Sequence, residues 1–184
     1  SGWLHELDKR VEKKSQELQK NIDELEAIFK KKNIKTFDAS NLTPREKLIK
    51  LKKQMDEQNI KSVIEDKKRN IIRDKKYGTF TLRHQILHDF PPKQLNRILD
   101  QGKKDIIKGI IVAFAIDNEE GKIGVAVGIT KELTDKYNAV ELVKVASEII
   151  GGKGGGGRKD FAQAGGTDKN KIEDAFNAVS KKIS

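Results

Sequence analysis

The amino-acid sequence predicts an α+β protein in two parts: an N-terminal antiparallel helical hairpin of coiled-coil character, then a compact α/β domain with a mixed sheet. Three observations carry this prediction. Apolar residues recur at helical spacing up to about residue 75, and beyond residue 77 they alternate or run continuously, as in strands. A glycine-rich segment then interrupts the second part at residues 151–157. We therefore place the hairpin at residues 3–75 and the α/β domain at residues 77–184.

The first helix is predicted over residues 4–29. Its apolar residues follow the narrow stripe of a coiled coil and are Leu4, Leu7, Val11, Leu18, Ile22, Leu25, Ile28 and Phe29. Such a helix buries little apolar surface alone, so it needs a partner. The candidate contacts for dimerisation are Leu7, Val11, Leu18, Ile22 and Leu25.

A second helix is predicted to begin at Pro44. Thr43 suits the N-cap position, and Glu46 completes a T-x-x-E capping box with it. The apolar positions that follow are Leu48, Leu51, Met55, Ile60, Val63, Ile64, Ile71 and Ile72. We therefore expect this helix to run to about residue 75, with an interruption at residues 58–59, and to pair with the first helix.

The second part is predicted to contain strands and helices in mixed order. An alternation of apolar and polar residues indicates the first strand, and a nearly continuous apolar run from Ile110 to Ile116 indicates the second, which a hairpin loop joins to the third. Thr167 or Asp168 is expected to cap the last helix. The predicted strands are 80–86, 110–116 and 122–129, and the predicted helices are 91–102, 139–150 and 167–183.

The composition narrows the class of protein. Lys plus Arg total 38 against 28 Asp plus Glu among 184 residues, a formal charge of +10. This surplus indicates an anionic partner such as nucleic acid, although solubility alone is an alternative reason for it. No apolar run is long enough to predict a membrane span, and no secretory signal is recognisable, so we expect a cytoplasmic protein. Ser1 and Gly2 have the character of a cleavage scar, which suggests an excised piece of a longer chain.

Chemical catalysis is not expected. The chain has no cysteine, which excludes disulfides, thiol nucleophiles and cysteine-based zinc sites. His84 and His88 stand four residues apart, a metal spacing on a helix, but His84 falls in a strand pattern. No nucleophile and base are placed together, so we predict no catalytic residue, no metal and no cofactor.

The glycine run has several interpretations. Gly152, Gly154 and Gly157 match G-x-G-x-x-G, but a helix rather than a strand precedes them, which argues against a dinucleotide site. A P-loop is excluded because no Gly-Lys-Ser/Thr closes the run. A flexible linker is disfavoured by the apolar composition of residues 161–164. What remains is a backbone whose amides can approach phosphate oxygens, beside Lys153 and Arg158.

Residues 151–166 resemble a signature of the C-terminal region of alanyl-tRNA synthetases. After a glycine-rich stretch that family has Arg-Pro-Asp-Met-Ala-Gln-Ala-Gly-Gly, where this chain has Lys159 for Pro and Phe161 for Met. Residues 127–135, Val-Gly-Ile-Thr-Lys-Glu-Leu-Thr-Asp, are similar to a second stretch of the family. The resemblance covers about residues 77–184, and the helical hairpin resembles the family's helical linker only in general character.

The resemblance implies a DHH-associated fold and a role in holding tRNA, expected to be alanine-specific, at the outer corner of its L shape. It also implies a homodimer formed through the helical part, with aminoacylation and editing done by other domains. The same fold occurs in DHH-type phosphoesterases, which carry a His after the glycine run. Arg158 stands at that position here, which favours the synthetase interpretation.

The candidate site follows from charge and from this resemblance. Lys153, Arg158 and Lys159 are candidates for phosphate contacts, and Gln163 for a sugar or base edge. The backbone candidates for close approach are Gly154, Gly155, Gly156 and Gly157. Three alternatives stay open: a purely structural dimerisation module with an internally packed glycine loop, a nonspecific DNA binder, and a phosphoesterase remnant.

Overall fold

The computed structural model describes residues 2–184 and divides the chain into two compact units. The first unit ends at Asn59 and the second runs from Ile60 to Ser184, so the boundary falls inside the second helix. The helices are α1 Gly2–Lys31, α2 Pro44–Glu65, α3 Leu95–Asp105, α4 Ala139–Ile149 and α5 Ile172–Ile183. The strands are β1 Asn70–Tyr77, β2 Phe80–His88, β3 Gly109–Asp117, β4 Lys122–Ile129, β5 Gly155–Gly157 and β6 Phe161–Gly166.

The first unit holds a small apolar cluster formed by both of its helices. Ile22 and Phe29 of α1 are buried with Leu48 and Leu51 of α2. The start of α2 is capped as its sequence predicts, because the amide of Glu46 donates to the hydroxyl of Thr43 at 3.2 Å and that hydroxyl donates to the Glu46 carboxylate at 2.9 Å. The expected N-terminal helical part is therefore confirmed.

The helical part ends earlier than residue 75. Helix α2 stops at Glu65, and the next ten residues turn back and enter β1, which contains Ile71 and Ile72. Asp66 makes the turn, since its carboxylate accepts from the amide of Lys68 and its carbonyl accepts from two later amides. The hydrogen bond from the Lys68 amide lowers the pKa of Asp66 and thereby favours its charged, turn-forming state. Two adjacent isoleucines fit a helical or a strand pattern equally, so their spacing alone could not reveal this change.

The second unit is built on one six-stranded mixed sheet in the order β1-β2-β3-β4-β6-β5. Strands β2 and β3 are parallel and joined through α3, while every other neighbouring pair is antiparallel. Strands β1 and β5 form the two edges. This arrangement confirms the predicted α+β class with a mixed sheet.

Helices cover both faces of the sheet. Alternate residues of β3, such as Val112 and Phe114, pack with α4 and α5 on one face. The residues between them, such as Ala113, pack with α3 and with Ile60 and Val63 near the end of α2 on the other face. The near-continuous apolar sequence of β3 is explained by this burial on both sides.

Arg83 joins strand β2 to the edge strand β1 and to the C-terminal end of helix α3. This β2 residue donates to both carboxylate oxygens of Asp74 on β1, at 2.9 and 3.1 Å, and to Asp105 at the end of α3, at 3.1 Å. The hydrogen bond with Asp74 raises the pKa of Arg83, and the hydrogen bond from Arg83 lowers the pKa of Asp105. The charged state of this cluster is thereby stabilised in the folded protein.

Over the described length of the chain, residues 2–184, none of the helices combines the length and the apolar character that crossing a membrane requires.

Candidate nucleic-acid interface

The glycine run forms the edge strand of the sheet. Gly155, Gly156 and Gly157 pair in antiparallel register with Ala164, Gln163 and Ala162 of β6. The connecting residues 158–160 form a tight turn, closed by hydrogen bonds exchanged between the main chains of Arg158 and Phe161 at 2.6 and 3.3 Å. The glycine run is thus part of a hairpin, β5–β6, rather than a linker.

Three glycines are required by packing within the protein. A Cβ atom on Gly152, Gly155 or Gly157 would collide with main-chain oxygens of β6. The close approach that we expected a ligand to make at Gly155 and Gly157 is therefore already made by the neighbouring strand. At these two residues the glycine run is packed internally, as the alternative of a purely structural module predicts.

Two other glycines of the run face open space. No heavy atom of the described chain lies within 4 Å of a Cβ built on Gly154 or Gly156. Gly154 also has a φ of +105°, a conformation that side chains disfavour. Among the four backbone candidates, these two are therefore the ones with open space on the side where a side chain would stand.

The outer edge of β5 presents unpaired amides. Because Arg158 and Phe161 exchange both of their hydrogen bonds, the antiparallel alternation turns the N–H groups of Gly155 and Gly157 away from β6. Outward-facing amides of this kind are donors for an anionic oxygen.

The turn of the hairpin holds two exposed cations on an anchored backbone. Arg158 is exposed, with its Nε 3.3 Å from Asp160 Oδ1, and Lys159 is exposed beside it. The carbonyl of Lys159 accepts from the amide of Ala139 at 2.9 Å, and the carbonyl of Asp160 accepts from Lys103 Nζ at 3.0 Å. Lys103, on α3, is a contributor that no local sequence motif marks.

Lys153 does not join Arg158 and Lys159. It precedes β5, whereas Arg158 follows it, so the strand lies between the two cations. Lys153 is exposed at the other end of the strand. The sequence analysis grouped Lys153 with Arg158 as neighbouring cations. In the structure β5 lies between them, so they stand at opposite ends of that strand.

Gln163 is partly committed to the protein. Its Nε2 donates to the carbonyl of Pro92 at 2.9 Å, and its side chain is half-buried. This bond orients the amide toward the face of the sheet that α3 covers, away from Arg158. Gln163 is thus fixed in one orientation rather than free on the surface.

Positive charge is concentrated at one end of the second unit. The turn of the β5–β6 hairpin, the β1–β2 turn, the loop after β4 and the C-terminal ends of α3 and α5 all lie there, as the strand register and the 2.9 Å hydrogen bond from Tyr137 to the Ile183 carbonyl require. We call this surface the basic end. Its cations are Lys75, Lys76, Lys103, Lys104, Lys108, Lys131, Lys136, Arg158, Lys159, Lys181 and Lys182.

Fewer acidic residues accompany these eleven cations, namely Asp74, Asp105, Glu132, Asp135, Glu141 and Asp160. The opposite end of the sheet is close to balanced, because Asp and Glu side chains of the β3–β4 loop and of the start of α5 offset its lysines. The charge surplus that the composition indicated is therefore polarised within this unit.

His84 belongs to the interior of the second unit, whereas His88 is half-buried and His5 is exposed. His84 is only 2% exposed and stacks on Phe176 with ring centroids 3.8 Å apart. Burial lowers its pKa to about 4, and its Nε2 has no hydrogen-bond partner among residues 2–184. In the same part of the chain, no three His, Cys, Asp or Glu side chains group closely enough to hold a metal ion.

The five dimerisation candidates separate into two groups. Leu7 and Val11 are exposed on α1, whereas Ile22 is buried in the cluster with α2. Leu18 and Leu25 are half-buried against that same cluster. Ile22 is thus unavailable to a second chain in this conformation, and the exposed apolar stripe extends instead toward Leu4.

The DHHA1 domain family matches residues 79–184. The chain is similar to the alanine–tRNA ligase of Parvibaculum lavamentivorans, with 45% identity over 107 residues, 58% of this chain and 12% of that protein. It is also similar to the alanine–tRNA ligase of Hyphomonas neptunium, with 52% identity over 87 residues, 47% of this chain and 10% of that protein. The matched part spans about a tenth of the length of these relatives.

A solved structure gives a similar result. The C-Ala domain of Aquifex aeolicus alanyl-tRNA synthetase superimposes with a TM-score of 0.54 at 28% identity, covering 59% of this chain and 96% of that domain. The resemblance drawn from residues 151–166 and 127–135 to the C-terminal region of that class of enzyme is thereby confirmed.

Proposed function

Because the chain belongs to the DHHA1 domain family, we propose that it is the tRNA-binding C-terminal module of an alanyl-tRNA synthetase. The observation that carries this proposal is the polarised charge of the second unit, with the turn of the β5–β6 hairpin lying in the basic end. The similarity to alanine–tRNA ligases supports tRNA as the partner. The module holds the RNA, and other domains carry out aminoacylation and editing in the cytoplasm.

The basic end suits the phosphate backbone of a folded RNA. Arg158 and Lys159 project from an anchored turn, and the outward amides of Gly155 and Gly157 lie beside them. Charge-assisted hydrogen bonds from such groups to phosphate are stronger than those between neutral partners. The lysines in the last turns of α3 and α5 also stabilise those helix ends, whose carbonyls carry partial negative charge.

This surface suits folded or duplex RNA better than single-stranded RNA. Duplex RNA and folded RNA corners are recognised mainly through backbone and 2′-hydroxyl contacts. Stacking of successive bases needs a row of accessible aromatic rings. The aromatic residues of the basic end are instead half-buried. Tyr77, Phe80 and Tyr137 pack on one another, and Phe161 packs against the apolar cluster that contains α3.

The helical part offers a second function, self-association. Trp3 is 68% exposed, and Leu4, Leu7 and Val11 continue an uncovered apolar stripe along α1. The charge of α1 is mixed, so it favours pairing with a helix of the same composition. We therefore propose a homodimer through the first half of α1, in addition to tRNA binding.

The proposal is tested by competition. Binding of an alanine tRNA transcript is measured by fluorescence anisotropy at about 50 mM and about 200 mM salt, because phosphate contacts weaken steeply across this range. Unlabelled alanine tRNA, a tRNA for another amino acid and duplex DNA then compete at the higher salt. The alanine tRNA is expected to displace the probe at the lowest concentration. Equal displacement by DNA would support the nonspecific alternative, and no binding at either salt would leave dimerisation as the function.

A further inference from the structure

A cleft of about 530 Å³ opens on the sheet face that α3 partly covers, beyond the start of that helix. Pro91 and Pro92 form one wall, and Gly124 and Gly165 lie in its floor. Gln163 and several charged side chains complete the lining. We call this cleft the glycine niche. It lies at the opposite end of β6 from Arg158, outside the basic end.

The floor of the niche is bare main chain. Gly124 and Gly165 are direct cross-strand partners on β4 and β6. Glycine at 124 is explained by packing, because a Cβ there would collide with the ring of Pro92. Gly165 has no such explanation, since a Cβ would meet only the Ile123 carbonyl at 3.8 Å, an ordinary contact, and its φ is not positive. The effect of glycine at 165 is to leave the floor flat and open.

The polar groups of the niche are fixed in position. The 2.9 Å bond from Gln163 Nε2 to the Pro92 carbonyl holds the side-chain amide in one orientation in the lining of the niche. Asp117 Oδ1 accepts from the amides of Glu119 and Glu120 at 3.1 and 3.3 Å, which holds that carboxylate at the rim.

The rim carries no net charge. Lys93 and Lys122 are balanced by Asp117 and Glu120, and Lys122 lies 3.1 Å from Glu120. A phosphate group therefore gains little here compared with the basic end. A neutral, flat group with donors and acceptors on its edge gains more, because it can lie on the bare floor against the proline rings and meet the amide and carboxylate.

We propose that the glycine niche binds one unpaired nucleobase of the RNA whose phosphates contact the basic end. This inference rests on the proposed tRNA-binding function. Strand β6 links the two surfaces, and its six residues span about 17 Å, a distance that a few nucleotides of a folded RNA bridge. Unpaired bases in loops are the parts of RNA that proteins read by their edges, while the phosphates fix position.

The test fills the niche without touching the phosphate contacts. Gly165→Val adds a side chain to the floor, and valine suits a strand at a position with space for it. Asn177→Leu, on the exposed surface of α5, is the control for added apolar bulk. Affinity for unfractionated tRNA is measured against salt for both variants and the unmodified chain, and thermal unfolding verifies that each variant is folded.

Gly165→Val is expected to weaken tRNA binding about tenfold, as loss of one bound base predicts, with the slope of affinity against salt unchanged. Asn177→Leu is expected to bind like the unmodified chain. Ultraviolet crosslinking of tRNA to the unmodified chain should place a nucleobase adduct within residues 91–93 or 163–166, and Gly165→Val should remove it.

Four results would overturn the proposal. If Gly165→Val binds tRNA as tightly as the unmodified chain, or if adducts form only outside the niche, the nucleobase site is wrong while the tRNA-binding function stands. If the unmodified chain itself does not bind tRNA, both fail together. If Gly165→Val and Asn177→Leu weaken tRNA binding equally, the loss of affinity comes from added apolar bulk alone, and the nucleobase site is also rejected.

Discussion

The guanidinium of Arg83 holds both carboxylate oxygens of Asp74, with Nε and Nη2 at 2.9 and 3.1 Å from them. This bidentate pair joins β2 to the edge strand β1, and the third bond, to Asp105, adds the end of α3. The side chain of Arg83 is only 10% exposed, whereas both carboxylates are partly exposed. The cluster therefore fastens the edge of the sheet that lies farthest from the glycine hairpin.

Replacing Arg83 is expected to destabilise the second unit. Arg83→Met removes three hydrogen bonds and leaves two carboxylates without their cation, so the free energy of unfolding should fall by about 2 to 3 kcal/mol. The measurement is urea unfolding at neutral pH. Arg73→Met is the matched control, because its ion pair with Glu173 is long, at 3.4 Å, and exposed on both sides. That variant should differ from the unmodified chain by less than about 0.5 kcal/mol; similar losses in both variants would contradict the account.

The buried His84 is expected to make the fold sensitive to acid. Its folded pKa is about 4, lowered chiefly by burial, against 6.5 for an ordinary histidine. The charge of Glu173 opposes this shift and that of Arg73 adds to it. Between these two pKa values the unfolded chain binds a proton that the folded chain does not, so stability falls as the pH drops from about 6.5 toward 4.

His84→Leu should remove this part of the pH dependence. Between pH 7 and pH 4.5 the unmodified chain should lose about 2 kcal/mol more of its unfolding free energy than the variant does. Urea unfolding at the two pH values measures the difference. The His84 Nε2 has no partner to lose within the described chain, so the variant should fold normally. An identical pH dependence in both proteins would show that His84 is not buried in its neutral form.

The exposed stripe of α1 is expected to mediate self-association. Leu7→Lys places a charge in the proposed dimer contact and should shift the full chain toward monomer in sedimentation equilibrium. Gln16→Lys adds the same charge nine residues later, on the opposite side of the helix. The control variant should dimerise like the unmodified chain. A monomeric unmodified chain, or equal dimerisation of both variants, would reject the α1 interface.

Much of the fold could be predicted from the sequence because its signals are local. The T-x-x-E cap of α2 and the apolar run of β3 each depend on neighbouring residues. The start of β1 could not be predicted in this way, because Ile71 and Ile72 become strand only by pairing with Ile86 and Gln85 of β2. Strand pairing depends on residues that are distant in the sequence. The apolar residues also keep a helical spacing beyond Glu65, where α2 ends, so the spacing does not mark the boundary between α2 and β1.

The sequence could predict which segment contains the candidate site, but not how the residues of that segment are arranged on the surface. The glycine signature located the segment, and the resemblance it carries indicated the family, but the segment was expected as a loop and forms the β5–β6 hairpin. The sequence could not show that β5 separates Lys153 from Arg158, nor that Lys103 supports Asp160 from another helix. Nor could it distinguish Gly155 and Gly157, which pack on β6, from Gly154 and Gly156, which face open space. Each of these facts depends on register or on tertiary contact.

We propose that tRNA binds at the basic end, and two double variants that change the charge at opposite ends of the second unit test this directly. The double variant Arg158→Glu/Lys159→Glu alters the hairpin turn, and Lys169→Glu/Lys171→Glu makes the same change in net charge at the balanced end. All four side chains are exposed, so both variants should fold.

The measurement is the affinity of each double variant for alanine tRNA at a single moderate salt concentration. We expect a loss of about 100-fold for the change at the hairpin turn, where two phosphate contacts become repulsive, and less than about threefold for the change at the balanced end. Equal losses in the two variants would show that net charge rather than the basic end governs binding, and would reject the proposal.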